Sequence, residues 1–378
     1  MMAAVDTAHT IHKTPPAMIV SEITLRRLSL PLKVPYKLAF GAVTAFDTIL
    51  VTVHGDGGEH GFGEATILTG YTSETIDSAW AKARELAAAI KGREAASAKD
   101  LALTHLKKAP FAVSSVVTAI EMAEGSSCLN IAEDTPVPLL AILSASDEAG
   151  IAAELDLHRQ AGYGTVKVKV GFEWESDAKR LKFIQNQVGR MPADTLKLRI
   201  DGNQGFSQAD ALSFTRILAP DHIELFEQPC HMDDWDAAKA VSDISAVPMM
   251  LDESIYGPAE IERAAESGSA RFVKLKLMKA GSLAALAEQL TRIRELGMEP
   301  VLGNGVAADP GCWMEACIAR THISNAGEMN GFLKPHQVLF ADPIRVERGA
   351  MILTPKPPAL IDDAALDALA AETVRVAA

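Results

Sequence analysis

From Pro138 onward, the sequence alternates short apolar segments with segments of amphipathic helical periodicity. Each apolar segment has the length of a β-strand, and each intervening helix can return the chain so that successive strands run parallel. Eight such strands are expected, near residues 138–143, 165–170, 197–201, 223–227, 248–252, 272–277, 300–303 and 324–328. Eight parallel strands linked by helices close an α/β barrel. A doubly wound open sheet is the alternative, but no glycine-rich phosphate loop follows the first strand.

The residues before the barrel have a different pattern, with longer strands that precede helices. The segments "SEITLRRLSLPL" and "FDTILVTVHGDGGEHGFGEAT" alternate as strands do, and helical periodicity follows at about 73–91 and 98–124. We therefore predict an α/β protein in which a TIM-type barrel carries an α+β N-terminal capping domain. The predicted segments are a mobile tail (1–17), the capping domain (18–135), the barrel domain (136–330) and a C-terminal segment that returns to the capping domain (331–378).

The bulk composition limits the class of partner. The chain has 378 residues, a net charge of −13 and a pI near 5.3, which argues against nucleic acid or an anionic membrane as a partner. No apolar run approaches the roughly 20 residues that span a bilayer, and the N-terminus lacks the pattern of a secretory signal. Four scattered cysteines show no zinc spacing. We expect a cytoplasmic protein with reduced thiols.

Three acidic residues stand at the ends of consecutive predicted strands. Asp201, Glu227 and Asp252 are separated by 26 residues (201 to 227) and 25 residues (227 to 252), about one strand–helix unit each. An acid at a strand end is often only the N-cap of the next helix, but three in register predict a shared site. Converging carboxylates repel each other unless a cation neutralises them, and all-oxygen ligands select Mg²⁺ first and Mn²⁺ second. Neither H-x-H nor HExxH occurs to favour zinc.

Two strands carry paired lysines, Lys167-x-Lys169 and Lys274-x-Lys276. A Lys-x-Lys strand is usually an exposed edge, but valine and leucine between and beside these lysines indicate a buried barrel wall. In a closed barrel the second and sixth strands lie on opposite sides of the acids, so Lys169 and Lys276 would face each other across a substrate. The second cation of each pair should lower the pKa of its neighbour toward neutrality. The chemistry this favours is abstraction of a proton α to a carboxylate, with a divalent ion that stabilises the enediolate.

The motifs "KVKVG", "DGNQGF", "FEQP", "LDES" and "KLMKAGS", with "GFGEA" in the first domain, resemble the enolase superfamily of muconate-lactonizing and mandelate-racemase-type enzymes. The resemblance implies a (β/α)7β-type barrel with a capping domain whose loops, about 33–42 and 64–72, close over the substrate. It implies Mg²⁺ ligands at Asp201, Glu227 and Asp252, and an acid/base pair at Lys169 and Lys276. Lys167 would modulate Lys169, while Asn203 and Glu253 would support the ligands. Members are commonly dimers or octamers of dimers, so a homo-oligomer is expected.

The eighth-strand segment "GEMNGF" departs from dipeptide epimerases, which usually carry Asp-x-Asp there to hold the substrate's amino group. The segment "PVLGNGVAADPGCWMEACIA" resembles the cis-3-hydroxy-L-proline dehydratase branch instead. The expected activity is therefore dehydration of that small amino acid, in which Lys169 takes the α-proton and Lys276 protonates the departing hydroxyl. Glu328 would bind the substrate's nitrogen, and Gly303, Asn304 and Gly305 would offer backbone N–H groups.

Three other functions remain open at this point. The same lysines and carboxylates can racemise or epimerise an amino acid or dipeptide by 1,1-proton transfer. A muconate-type cycloisomerase uses the same set of residues. A non-catalytic binding protein on the same scaffold is the third, although retention of both lysines and all three acids argues against it.

Overall fold

The computed structural model describes residues 17–38, 41–68, 72–193 and 195–377. Residues 1–16 of the predicted tail lie outside the described residues, as do 39–40 and 69–71 within the two predicted capping loops. In the described part of the chain, no helix is both long and apolar enough to cross a membrane.

Long strands come first in the chain and short ones follow. In chain order they are β1 (Val20–Leu38), β2 (Gly41–Gly55), β3 (His60–Ile67), β4 (Thr135–Pro138), β5 (Ala141–Leu143), β6 (Thr165–Lys169), β7 (Lys197–Asp201), β8 (Ile223–Glu227), β9 (Met249–Leu251), β10 (Phe272–Leu275), β11 (Glu299–Leu302), β12 (Val346–Glu347), β13 (Ala350–Leu353) and β14 (Ala370–Val376).

The α-helices alternate with the strands from β5 to β11. In chain order they are α1 (Ile76–Ile90), α2 (Ala95–Leu103), α3 (Pro110–Ala123), α4 (Glu148–Gln160), α5 (Trp174–Val188), α6 (Gln208–Ile217), α7 (Trp235–Ile244), α8 (Pro258–Ser267), α9 (Leu277–Ala280), α10 (Leu283–Glu295), α11 (Asp309–His322) and α12 (Asp363–Leu369).

The capping domain is an antiparallel sheet in the order β14-β1-β2-β3, packed on α1 to α3. Two glycines of β3 allow α3 to lie directly on the sheet, because a Cβ at Gly61 would be 2.3 Å from Ala119 O and one at Gly63 2.1 Å from Ser115 O. The single helix expected at 98–124 is wrong: the chain forms α2 and α3 instead. The break falls before Pro110, which suits the first turn of a new helix because its missing N–H needs no partner there.

The barrel is a parallel sheet in the order β5 to β11, so consecutive strands are neighbours throughout. This confirms the predicted fold of a barrel domain with a capping domain. The eighth strand is the exception, because residues 324–328 form a single parallel bridge between Leu139 and Gly327 rather than a strand. Gly327 N donates to Pro138 O at 2.9 Å and Glu328 N to Leu302 O at 3.0 Å, which closes the ring between the last strand and the first.

Two other predicted strands differ in their bounds. The segment 138–143 splits, because β4 pairs antiparallel with β13 outside the barrel and only β5 enters it. The segment 272–277 stops at Leu275, and Leu277 already begins the one-turn helix α9. Lys276 keeps an extended backbone between them (φ −135°, ψ 142°), so it stays on the same side as Lys274. The C-terminal β14 pairs with β1, at the edge of the capping sheet.

Two glutamates of the capping domain hold the barrel helices by their N-termini. Glu64, on β3, accepts hydrogen bonds from Ala308 N (3.2 Å) and Gly311 N (3.1 Å) at the start of α11. Glu121, on α3, accepts hydrogen bonds from Leu283 N and Ala284 N at the start of α10. A carboxylate is stabilised at a helix N-terminus, where free N–H groups and the helix dipole are both favourable. These contacts fix the capping domain over the carboxyl ends of the barrel strands.

Candidate active site

A cavity of about 330 Å³ lies between the capping domain and the carboxyl ends of the barrel strands. Among the described residues, the cavity wall includes every predicted site residue except Glu227 and Gly303. The capping domain contributes Thr66, Leu68 and Phe111 to the same wall. The site is therefore formed by both domains, and the strand-end residues named from the sequence do converge.

The predicted register of the acids is observed for Asp201 and Glu227, whereas Asp252 lies two residues beyond Met250, the partner of Glu227 on β9. Lys169 pairs with Asp201 across β6 and β7, and Asp201 pairs with Glu227 across β7 and β8. Asp252 directly follows β9. All three carboxylates are buried, with at most 2% of each residue exposed. A cation must compensate three buried negative charges at this edge of the barrel.

Two lysines provide that compensation at the cavity surface. Lys169 Nζ is 2.7 Å from Asp201 Oδ2 and also donates to Asn203 Oδ1. Lys276 Nζ is 2.8 and 2.7 Å from the two carboxylate oxygens of Asp252. Asn203 Nδ2 in turn donates to Glu253 Oε1 at 3.1 Å. The two predicted supporting residues therefore link the Lys169 side of the cavity to the residue that follows Asp252.

A second layer of charges lies deeper in the barrel. Lys167 Nζ is within 2.7 to 2.9 Å of oxygens of Asp201, Glu227 and Glu328. Lys274 Nζ is 3.1 Å from Glu227 Oε1 and pairs with Glu328 Oε2. Burial alone would lower the pKa of each lysine, but the surrounding carboxylates outweigh it and raise both pKa values well above the usual range. Both side chains therefore remain cations at neutral pH.

Glu328 lines the cavity and is paired with two buried lysines. Its Oε2 is shared by Lys167 and Lys274, and only 4% of the residue is exposed. Burial would raise the pKa of Glu328, but the two lysines outweigh it and hold the pKa well below the usual range. The carboxylate is thus an internal counter-ion at the base of the cavity. Binding of a substrate ammonium by Glu328 stays a prediction.

The three residues predicted to contact substrate in the loop after β11 do not all face the cavity. Asn304 and Gly305 line the cavity, whereas Gly303 lies behind it and donates its N–H to Leu275 O. Gly303 has φ +135°, and a Cβ there would lie 2.5 Å from Glu328 N. The glycine is thus explained by the close approach of the eighth-strand segment, and the prediction that Gly303 binds substrate is not supported.

The carboxylates of Asp201, Glu227 and Asp252 are the ligands that the sequence predicts for a divalent ion. No three His, Cys, Asp or Glu side chains among the described residues already have the arrangement of a metal site, because lysines lie between the acids. The donor chemistry nevertheless fits: three carboxylates at the ends of adjacent strands supply only oxygen ligands, and Glu227 Oε2 accepts no hydrogen bond from the described residues. Lys167 is 2.8 Å from that oxygen but outside hydrogen-bond geometry. Binding would require the Lys169 and Lys276 ammonium groups to move off Asp201 and Asp252.

Several contributors to the site were not predicted from the sequence. Phe111 and Met278 line the cavity without a local signal in the sequence, whereas Leu68 beside them lies within the predicted capping loop 64–72. Lys334 donates to Gly305 O at 2.5 Å and so holds the cavity loop. Lys279 contacts the turn after β9, and its place three residues after Lys276 was the available clue.

Residues 150–358 match the family model described as the enolase C-terminal domain-like family, and residues 20–124 match the mandelate racemase/muconate lactonizing enzyme N-terminal domain. The chain belongs to the mandelate racemase/muconate lactonizing enzyme family. Members of this enolase superfamily bind Mg²⁺. The two matched regions correspond to the barrel and the capping domain that the structure shows.

Two relatives of this chain are named as epimerases. The L-Ala-D/L-Glu epimerase of Bacillus subtilis is 30% identical over 309 residues, which cover 76% of this chain and 81% of that protein. Its substrate-liganded structure has a TM-score of 0.80 at 25% identity and covers 91% of this chain and 98% of that chain. The D-Ala-D/L-Ala epimerase of Cytophaga hutchinsonii is 27% identical over 312 residues, covering 76% of this chain and 80% of that protein.

The fold likeness is also high for an enzyme of lower identity. The N-succinyl Arg/Lys racemase of Bacillus cereus has a TM-score of 0.85 at 24% identity and covers 95% of this chain and all of that chain. These relatives are amino-acid and dipeptide epimerases and racemases, so they favour the alternative function over the hydroxyproline dehydratase expected from the loop segments.

Proposed function

We propose that the protein removes the α-proton of an amino-acid-derived carboxylate and returns a proton to the same carbon, as an epimerase or racemase does. The observation that carries the proposal is the placement of Lys169 and Lys276 at the carboxyl ends of the second and sixth strands of one barrel, lining one cavity. Each lysine lies on a different carboxylate, Asp201 or Asp252. Two amines in this arrangement can serve the two faces of one α-carbon.

The proton transfer divides between the two lysines. The neutral amine on one face accepts the α-proton, and the ammonium on the other face donates a proton to the same carbon. Lys167 and Lys274 stay charged beneath them, which adds positive potential where the carbanion charge develops. A divalent ion held by Asp201, Glu227 and Asp252 would stabilise the negative charge on the substrate carboxylate.

The size and lining of the cavity restrict the substrate. A volume of about 330 Å³ is at the lower end of the range for small-molecule sites, roughly 300–1,000 Å³. Leu68, Phe111 and Met278 line it beside the polar residues of the barrel. An amino-acid derivative or a dipeptide with a small apolar side chain fits this combination. The named activity of the Bacillus subtilis relative, epimerisation of L-Ala-D/L-Glu, belongs to this class.

Dehydration of a 3-hydroxyproline is the second candidate, and one observation favours it. Because Glu328 is bound to Lys167 and Lys274, the eighth-strand segment offers that carboxylate as a counter-ion rather than as a clamp for a dipeptide's ammonium. A small ring amino acid needs no such carboxylate clamp from the eighth-strand segment. In this case the lysine opposite the base would protonate the leaving hydroxyl instead of the α-carbon.

Proton NMR in D₂O separates the two candidates. The Mg²⁺-supplemented enzyme is incubated with L-Ala-L-Glu, N-succinyl-L-amino acids and the 3-hydroxyprolines, with the Lys169→Ala/Lys276→Ala double variant as control. Deuterium uptake at the α-carbon with inversion and an otherwise intact substrate supports the epimerase or racemase. Loss of the C3 hydroxyl supports the dehydratase. If enzyme with bound Mg²⁺ gives neither result with any of these compounds, the proposal is wrong.

A further inference from the structure

Lys279 is a buried cation that the proton transfer does not use. It lies on the one-turn helix α9, three residues after Lys276, and 1% of its side chain is exposed. A buried ammonium is costly unless hydrogen bonds replace its water, so its partners must be strong ones. The helix ends at Gly281, with φ +79°, where an added Cβ would meet Leu106 of the capping domain at 2.6 Å. Helix α9 is therefore confined between the two domains.

The partners of Lys279 are the two ends of the turn that follows β9. Its Nζ donates to Asp252 O and to Ile255 O, both at 2.8 Å, and lies 3.5 Å from Asp252 Oδ1. The same turn is closed by Ile255 N, which donates to Asp252 O at 3.0 Å. The ammonium also lies 4.6 Å from the ring centroid of Tyr256, a cation–π contact. Lys279 thus fixes the backbone from which the Asp252 carboxylate projects.

Asp252 is held at both ends by one helical turn. Lys276 contacts its carboxylate oxygens, and Lys279 contacts its backbone carbonyl. The acid/base lysine and the carboxylate beside it are consequently fixed relative to each other by residues only three positions apart. On the other side of the cavity, Lys169 and Asp201 are neighbours in the β6–β7 ladder, whereas the contacts of Lys279 with Asp252 and Ile255 lie at the turn after β9.

We propose that Lys279 is a positioning residue for the Lys276 half of the site: it holds the turn after β9 so that Asp252 and Lys276 keep their geometry. This inference rests on the proposed function, since it assigns Lys276 to one face of the α-carbon. A residue that only stabilised the fold would affect both halves of the site equally. A positioning residue for one half lowers proton exchange through Lys276 and leaves exchange through Lys169 unchanged.

The test measures α-hydrogen exchange in D₂O through one lysine at a time. Lys169→Ala leaves only Lys276 to exchange, and Lys276→Ala leaves only Lys169. With Mg²⁺ at a saturating concentration for each variant, adding Lys279→Met should lower exchange by about tenfold to 100-fold in the Lys169→Ala background, as is typical when a supporting partner of a site is removed, and leave the Lys276→Ala background unchanged. Equal losses in both backgrounds, or a loss in neither, would overturn the proposal. Lys239→Met, on the exposed face of α7, is the matched control.

A second measurement keeps the inference separate from the proposed function. Mg²⁺ affinity of the substrate-free protein is measured by calorimetry for wild type, Lys279→Met and Lys239→Met. Displacement of Asp252 should weaken the affinity of Lys279→Met by about tenfold or more. If no substrate exchanges its α-hydrogen in either single-lysine variant, the proposed function is wrong. The Mg²⁺ affinity then tests the role of Lys279 by itself, and an unchanged Mg²⁺ affinity in Lys279→Met overturns that role. Should Lys279→Met not fold by circular dichroism, Lys279→Gln is used with the same expectations.

Discussion

Lys276 donates hydrogen bonds from its ammonium to both carboxylate oxygens of Asp252, at 2.8 and 2.7 Å. The two residues are 93% or more buried, so the contact is largely shielded from water. A divalent ion that binds Asp252 must share or displace this ammonium. Metal binding and the release of Lys276 for proton transfer are therefore linked, because both depend on the same pair of oxygens.

The first prediction concerns Asp252. Asp252→Asn removes one negative charge from the proposed ligand set, so both Mg²⁺ affinity and turnover should fall, turnover by about 10²–10³-fold as for other losses of transition-state charge stabilisation. EDTA should abolish turnover of the wild type, and added Mg²⁺ should restore it. Calorimetry and initial rates measure the two effects. The exposed Asp243→Asn is the control; wild-type Mg²⁺ affinity in Asp252→Asn would remove Asp252 from the ligand set.

The second prediction concerns the counter-ion Glu328. Glu328→Gln leaves Lys167 and Lys274 with one fewer anion in the barrel interior, which should cost about 3–5 kcal/mol of unfolding free energy, as for other broken buried pairs. Urea denaturation measures this loss. Lys274→Met/Glu328→Gln should be less destabilised than the two single variants added together, since it removes a cation with the anion. A selective rise in KM for substrates with a free ammonium, at unchanged stability, would instead support substrate binding by Glu328.

The catalytic layer could be predicted from the sequence because barrel geometry converts a regular spacing into proximity. Acids 26 and 25 residues apart had to lie at the ends of adjacent strands: Asp201 and Glu227 are in register, and Asp252 lies two residues beyond the partner of Glu227. The second layer of charges, deeper in the barrel, could not be predicted in this way. Lys274 is paired with Glu328, which belongs to the eighth-strand segment. This segment forms a single bridge and not a strand, so the alternation of side chains along a strand cannot predict which way Glu328 points.

Contacts between the two domains could not be predicted from the sequence either. The motif "GFGEA" indicates the family, and the structure shows that its Glu64 caps α11 across the domain boundary. Nothing local to β3 indicates a partner more than 240 residues away along the chain. The break before Pro110 could have been predicted, since proline at the first turn of a helix is a recognised start signal.

The third prediction uses the pH dependence of Glu64. Burial raises the pKa of Glu64 from 4.5 to about 7, despite hydrogen bonds from Thr66, Ala308 and Gly311 that lower it. An acid with a raised pKa in the folded state binds more protons folded than unfolded, so unfolding free energy falls as pH rises through this interval. The loss amounts to about 3 kcal/mol, since each pH unit corresponds to about 1.4 kcal/mol.

Glu64→Gln stays neutral, so its unfolding free energy should fall less than that of the wild type between pH 4.5 and pH 7. Urea denaturation at several pH values gives both slopes. Glu266→Gln, an exposed change on α8, should leave the wild-type slope unaltered. Parallel curves for wild type and Glu64→Gln would show that Glu64 does not titrate in the folded protein over this interval.

The fourth prediction separates the two lysines by the face of the α-carbon that each serves. Because Lys169 and Lys276 lie on different strands beside different carboxylates, each single alanine variant should lose interconversion of the two stereoisomers while keeping α-deuterium exchange of one of them. By the family resemblance, Lys276→Ala should still exchange the L isomer, and Lys169→Ala the D isomer. Chiral chromatography of substrate recovered from D₂O measures both. The reverse pattern would exchange the two assignments, and full interconversion in either variant would exclude that lysine as an acid or base.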